Sequence, residues 1–235
     1  MTPARPASGP SRRVPGQPDA TADVAILAAE PEGLSLLLVP ARTTASARGG
    51  RWELPWTPLR PKAPLVAQAR RTAAEALGVA PAWLEQVGAF DKGRHPSDSA
   101  LSIAFLGLAP ERREGTAAGR QARWFPAEAL PPLAPRQREM VGGALALLRE
   151  RLDVTPVAFH LLPEVFTLSQ LQEVYELVLG HSLHKASFRR ALQAASLVRP
   201  LAQWRTEGRG RPAQLYRYAP RKRRGIRRGV RFDIT

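Results

Sequence analysis

Lys185, Ser187, Arg189, Arg190 and Gln193 recur along one side of a stretch whose other side is Phe188, Leu192 and Ala195. That spacing predicts a helix over roughly 185–195 with one apolar and one basic, hydrogen-bonding face. Guanidinium forks and side-chain amides suit phosphate oxygens and the edges of guanine and adenine. Arg209 and Arg211 stand in a Gly-rich basic turn, 207–212, between two alternating stretches, 201–205 and 214–218. A hairpin with arginines at its tip can lie along a phosphate backbone. A solvated basic helix beside an ordinary hairpin would look similar, so the placement of charge elsewhere must separate the two readings.

Other chemistries lack their residues. The chain has no cysteine, which excludes disulfide frameworks, Cys-ligated zinc, iron–sulfur clusters and thiol nucleophiles. His95, His160, His181 and His184 do not have metal-ligand spacing, and no nearby Ser/Asp arrangement supports catalysis by His95. Glu75 is a lone carboxylate in the helical stretch 65–77. A hard divalent cation takes several oxygens, so Glu75 is expected to pair with Arg71 at i,i+4 instead. No metal or cofactor is expected.

The 235 residues carry 35 Lys+Arg against 20 Asp+Glu, a formal net charge of +15. Composition alone fits either a polyanion partner or an arginine-rich genome. The distribution separates them. Residues 1–154 hold 20 basic and 15 acidic side chains, net +5, and residues 155–235 hold 15 and 5, net +10. A uniform codon bias would not concentrate charge in the last third, which points to nucleic acid. No apolar run reaches 18 residues and no signal pattern opens the chain, so it reads as soluble and cytoplasmic.

The elements that position these residues follow from periodicity. Residues 1–22 are poor in large apolar side chains and are predicted to be disordered. A hairpin follows, 24–28 and 34–39 around Glu30-Pro31-Glu32-Gly33, and then a short strand at 51–54. Leu65, Ala69, Ala73 and Leu77 form the stripe of a helix closed by Gly78. Strands are predicted at 84–90, 101–108 and 122–126, a surface loop at 109–120, and a second long helix at 136–152 with Met140, Ala144, Leu147 and Leu148 inward. The first domain thus spans 23–152. After a boundary at 153–156, Thr167-Leu168-Ser169-Gln170 is a capping box. The helix 168–179 follows with Leu171, Val174, Tyr175 and Val178 inward, stopped by Gly180. Helix, tight turn, basic helix and wing predict a winged helix over 153–220. The remaining tail, 221–235, opens with a basic run at 221–228 that fits either a DNA arm or a solvated end.

Trp52-Glu53-Leu54-Pro55, the helix after it and Arg70-Arg71 resemble a Nudix domain. With the arginine of the Nudix box on Arg71, Gly78-Val79 closes the box and Glu75 fills the first position of its Glu pair. The opening glycine is Thr57, and three glutamate positions carry Ala63, Thr72 and Ala76. Nudix enzymes hold divalent metal on those acids to hydrolyse diphosphates. The resemblance to a degenerate box therefore implies a site that binds rather than cleaves. Arg51, Phe90, Asp91 and Arg94 are candidate ligand contacts, with Trp52 or Phe90 available to stack a base.

A Nudix domain followed by a winged helix resembles the Nudix-related regulators of NAD metabolism, the NrtR family. The segments that carry this are Gly93-Arg94-His95-Pro96, Ala122-Arg123-Trp124-Phe125-Pro126, Thr155-Pro156-Val157-Ala158-Phe159, Phe166-Thr167-Leu168-Ser169-Gln170-Leu171-Gln172 and Leu183-His184-Lys185-Ala186-Ser187-Phe188-Arg189-Arg190. Trp56-Thr57 stands where that family has two glycines, and Pro135-Arg136-Gln137 where it commonly has Phe-Asp-His. The resemblance implies an α+β chain: a Nudix α/β/α sandwich with a mixed sheet, then a winged helix-turn-helix domain. It also implies a homodimeric repressor on a double-stranded DNA operator, with an ADP-ribose-like nucleotide as effector. A Nudix hydrolase of nucleoside diphosphate derivatives and a scaffold or RNA-binding protein using the basic tail are the alternatives.

Overall fold

The computed structural model describes residues 18–42, 51–112, 116–117, 120–206 and 212–219. The first half comprises β1 (Ala20–Glu30), β2 (Gly33–Pro40), β3 (Trp52–Glu53), β4 (Trp56–Pro58), α1 (Leu65–Leu77), β5 (Trp83–Phe90), β6 (Leu101–Ala109), β7 (Thr116–Ala117), β8 (Arg120–Gln121), β9 (Arg123–Pro126) and α2 (Pro135–Val154). A 3-10 turn, Val157–Leu161, leads to β10 (Val165–Thr167), α3 (Leu168–Leu179), α4 (Lys185–Ala195), β11 (Val198–Arg205) and β12 (Ala213–Tyr218).

The large sheet runs β3-β2-β1-β6-β5, with β4 joined to β1 and β9 to β2. Only β1 and β6 pair in parallel, so the sheet is mixed. Side chains on a strand alternate between faces, and the sequence uses both. Ala25 and Leu27 of β1, Leu36 and Leu38 of β2, and Leu106 and Leu108 of β6 enter one core, on the α2 side. Their neighbours Val24, Ile26, Leu37, Val39 and Phe105 enter a second core with Ala69, Ala73, Ala76 and Leu77 of α1. Two helical layers on one sheet make the expected α/β/α sandwich. Gly78, at φ 75, ends α1 in the left-handed region that glycine adopts without strain.

Order among the described residues starts earlier than Asp23. Ala20–Ala22 already pair with β6, and Thr21 and Ala22 also face Pro58 and Thr57 of β4. β4 itself is unexpected, because three residues bounded by prolines carry no periodicity. The expected loop 109–120 contains the short strand β7. The helix 136–152 extends to 135–154, across the start of the expected boundary, and Leu147 is only half-buried.

The α2-side core does not stop at the sandwich. It continues through Val157, Ala158 and Phe159 into Phe166, Leu171, Tyr175, Phe188 and Leu192. No helix among the described residues is long and apolar enough to cross a membrane.

Candidate nucleic-acid interface

The capping box forms as read. The Gln170 N–H donates to Thr167 Oγ1 at 3.1 Å, and the Thr167 N–H donates to Gln170 Oε1 at 2.9 Å. It satisfies two orphan donors and sets where α3 begins. Gly180, at φ 78, ends the helix. Between α3 and α4, Glu176 Oε1 accepts from the Leu183 N–H at 2.7 Å and from Gln172 Nε2 at 2.9 Å, and Gln172 Nε2 also donates to the Leu183 carbonyl at 3.0 Å. These bonds clamp the turn. Phe188 then lies edge-on to Tyr175, ring centres 5.6 Å apart, and Leu192 is buried beside it. With that face fixed, Lys185, Ser187, Arg189, Arg190 and Gln193 all point to solvent. They occupy an 11-residue helix, about 16 Å long, suited to the major groove.

β10, β12 and β11 form the small sheet behind the helix, with β11 bulged between Pro200 and Trp204. Arg209 and Arg211 lie outside the described residues, as do the N-terminal residues 1–17 and the basic tail.

The other candidate site is centred on β1, the middle strand of the large sheet. Asp23, buried on β1, is its hub. Its Oδ1 accepts from His95 Nε2 at 2.8 Å and Gln137 Nε2 at 3.0 Å, and its Oδ2 accepts from Thr21 Oγ1 at 2.7 Å. Because the Ser97 N–H donates to His95 Nδ1 at 3.1 Å, the neutral ring carries its proton on Nε2. Gln137 Oε1 accepts from the Leu54 N–H at 3.2 Å, so one amide joins α2 to β1 and to the segment after β3. Next to it, the Arg136 guanidinium donates to the carbonyls of Asp91, Lys92, Gly93 and Ser99 and shapes the loop between β5 and β6. Burial pulls the Arg136 pKa below its ordinary value, with Asp23 and Asp91 opposing.

Glu53 lies beside this network, with 1% of its side chain exposed. Burial raises its carboxyl above the ordinary carboxylate range, against the lowering effects of the Trp56 indole, Arg42 and His95. Arg42 stacks over the Trp56 ring at 4.2 Å and donates to the Trp56 carbonyl.

The sequence candidates are only partly brought together. Phe90, Asp91 and Arg94 adjoin at the end of β5, whereas Arg51 precedes β3, at the other end of the strand order. Phe90 packs against the backbone of Gly143, where an added Cβ would meet its ring at 3.2 Å. Trp52 packs on Phe125. Both aromatic rings are half-buried and pack against the α2-side core. Arg94 is exposed and paired with Asp98 at 3.1 Å. Of the box positions, Thr72 and Ala76 are buried against the sheet, Thr57 is half-buried on β4, and Ala63, Arg71 and Glu75 are exposed. The expected Arg71–Glu75 pair does not form: no ion pair joins them among the described residues, since both side chains extend into water. No group of three or more His, Cys, Asp or Glu able to hold a metal occurs among the described residues.

Asp23, His95, Arg136 and Gln137 escaped the sequence reading as one site. A signal existed: Gln137 sits on the stripe of Met140, Val141, Ala144 and Leu148, a polar residue on a core face. From Gln137, α2 runs about 18 Å to Arg149, whose Nε donates to the Val178 carbonyl of α3 at 3.1 Å. Arg151 meets Glu85 of β5 at 2.7 Å.

Residues 158–218 match the NrtR DNA-binding winged helix domain. Over 206 residues, 85% of this chain and 81% of the relative, the sequence is 30% identical to the ADPR responsive transcriptional repressor NtrR of Acinetobacter baylyi. The fold matches NrtR of Shewanella oneidensis, solved with a 27mer DNA, at TM-score 0.73 and 27% identity, over 86% of this chain and 94% of that one. A MutT/nudix family protein from Enterococcus faecalis shares the fold at TM-score 0.67 and 18% identity, over 87% and 89% of the two chains.

Proposed function

The chain belongs to the NrtR family of Nudix-related transcriptional regulators, and from that premise we propose that it is an ADP-ribose-responsive repressor without hydrolase activity. It acts in the cytoplasm as a homodimer on a palindromic operator, each winged helix reading one half-site. The observation that carries this reading is the solvent-facing row Lys185, Ser187, Arg189, Arg190 and Gln193 on a helix anchored by Phe188 and Leu192. Arg209 and Arg211 extend the contact along the phosphates. The sensor is residues 23–152 and the DNA-binding unit 153–220.

α2 supports a route between them. Its first turn holds the Asp23 network, and its last turns hold α3 and β5. A nucleotide that shifts the network, or Phe90 at the end of β5 and the loop bearing Asp91 and Arg94, tilts α2 and with it the reading helices. Such coupling is reciprocal, typically about 1–3 kcal/mol, so DNA weakens the ligand as much as the ligand weakens DNA.

DNase footprinting on DNA upstream of the genes around its own locus, at about 0.15 M salt, tests the proposal. A protected palindrome that ADP-ribose releases is the expected result. Specific binding exceeds non-specific by ~10³-fold or more, so protection without sequence preference would refute it. Turnover of ADP-ribose with Mg²⁺ that is lost in Glu75→Gln would establish the hydrolase reading instead.

A further inference from the structure

Two hollows adjoin where the sandwich meets the winged helix, and they share Pro110 and Pro163 as a common wall. The larger, about 300 Å³, lies between Leu77, Val79 and Ala82 at the end of α1 and Glu164 before β10. The smaller, about 120 Å³, runs on past Leu161 to Val174 of α3 and to Glu30 at the end of β1. Together they make one open cleft with a largely apolar lining, and Val79 on its rim is 40% exposed. Its charged walls are of one sign. Glu30, Glu111, Glu164 and Glu173 line it, and no Lys or Arg does so among the described residues. Arg112 pairs with Glu30 at 2.8 Å from beside the cleft. Residues 155–235 hold only five acidic side chains against 15 basic ones, and Glu164 and Glu173 are two of those five.

An apolar floor under an acidic rim repels nucleic acid and suits a peptide that carries both cations and apolar side chains. The chain supplies one. Residues 221–235 hold seven Lys or Arg and one Asp, interspersed with Ile226, Val230, Phe232 and Ile234. Val230, Phe232 and Ile234 alternate with Arg231 and Asp233, so an extended chain would present all three on one side. Residues 1–17 fit less well, with three arginines and only Met1 and Val14 as large apolar side chains. The tail also starts close by. β12 ends at Tyr218, whose ring lies 4.5 Å from Phe159, two residues before Leu161 of the cleft wall. Fifteen extended residues reach up to ~50 Å, ample for both hollows. We propose that the cleft between the sandwich and the winged helix is the seat of the chain's own tail, residues 221–235. Seated there, the tail touches both domains at once, and its arginines are withheld from DNA phosphates.

Because the chain has no cysteine, Thr235→Cys gives the full protein a single thiol for a fluorescent label at the end of the tail. Label anisotropy, read without DNA at ~0.15 M salt, reports whether the tail is held. Glu164→Lys reverses one charge of the rim and Val79→Asp puts a charge on its apolar edge. Each should lower the anisotropy, and so should an excess of unlabelled peptide 221–235. A peptide with serine at positions 226, 230, 232 and 234 should need about tenfold more to do so, since it has no apolar side chains to bury. Both protein substitutions are at exposed positions. Thermal melting reports whether each variant is folded, and if one is not, the other decides. Anisotropy unchanged by a folded variant and by the peptide overturns the seat. Equal competition by the two peptides also overturns it, since that would mark charge attraction without a groove. A signal that falls on dilution would put the tail on a second copy and overturn its docking within one chain.

Discussion

Glu176→Ala isolates the device that aims the recognition helix. The carboxylate accepts one bond from the turn at Leu183, 2.7 Å, and one from Gln172, 2.9 Å. A hydrogen bond to a charged group contributes about 1.5–3 kcal/mol. Glu176 is half-buried, so the lower end applies to the turn bond. Gln172 keeps its bond to the Leu183 carbonyl, and its second donor can turn to water. Alanine returns a few tenths of a kcal/mol through helix propensity. The net expected loss is about 1.5 kcal/mol, read as a lower urea midpoint with an unchanged slope. Operator binding should also fall, by about tenfold if the freed turn samples other orientations, because apparent affinity scales with the competent fraction. The salt dependence of binding should not change, since no phosphate contact is lost. Glu176→Gln, which keeps a neutral acceptor, should fall between. Unchanged stability together with unchanged affinity would refute the clamp. A reduced salt slope would show instead that Glu176 influences DNA directly.

Arg189→Ala and Arg190→Ala should each weaken specific binding, and each lost phosphate contact should lower the slope of log K against log salt by ~0.9. If neither variant alters the footprint or the slope, the recognition face is misassigned. Thr167→Ala removes half of a capping box and should cost about 1 kcal/mol by urea unfolding. The folded pKa of Glu53 is raised above the ordinary 4.5. The stability linked to its protonated form is therefore complete below that value and lost as pH rises through the folded pKa. Glu53→Gln should accordingly raise the Tm at neutral pH, with the gain shrinking as pH falls towards 4.5; a gain independent of pH would exclude titration of Glu53 as its source.

The helices were legible because their limits are local. Thr167 and Gln170 cap α3, Gly78 and Gly180 stop their helices, and the stripe from Leu65 to Leu77 gives α1 its bounds. β4 was not legible because Trp56 and Thr57 become a strand only by pairing with Asp23 and Ala22 of β1. The Asp23 network was hidden for the same reason: its partners are 72 and 114 residues away in sequence. The Arg71–Glu75 pair was misjudged because spacing gives proximity on a helix, whereas exposed side chains spend little time paired. Arg51 was grouped with Phe90 by chemistry alone, and strand order separates them.

The apolar core that passes from the sheet through Val157, Ala158 and Phe159 into α3 and α4 has a consequence for recombination. A winged helix cut away at residue 155 would expose the sides of Val157, Ala158 and Phe159 that face the sheet and α2, although Phe159 would keep Phe166 and Tyr218. Val178 would lose the arginine that holds its carbonyl. The reading head is thus not interchangeable at the seam its sequence suggests. A chimaera that moves this DNA specificity to another sensor must bring α2 as well, and with α2 come Arg136 and Gln137. In this chain, operator choice and the polar floor of the sensor are inherited as one piece.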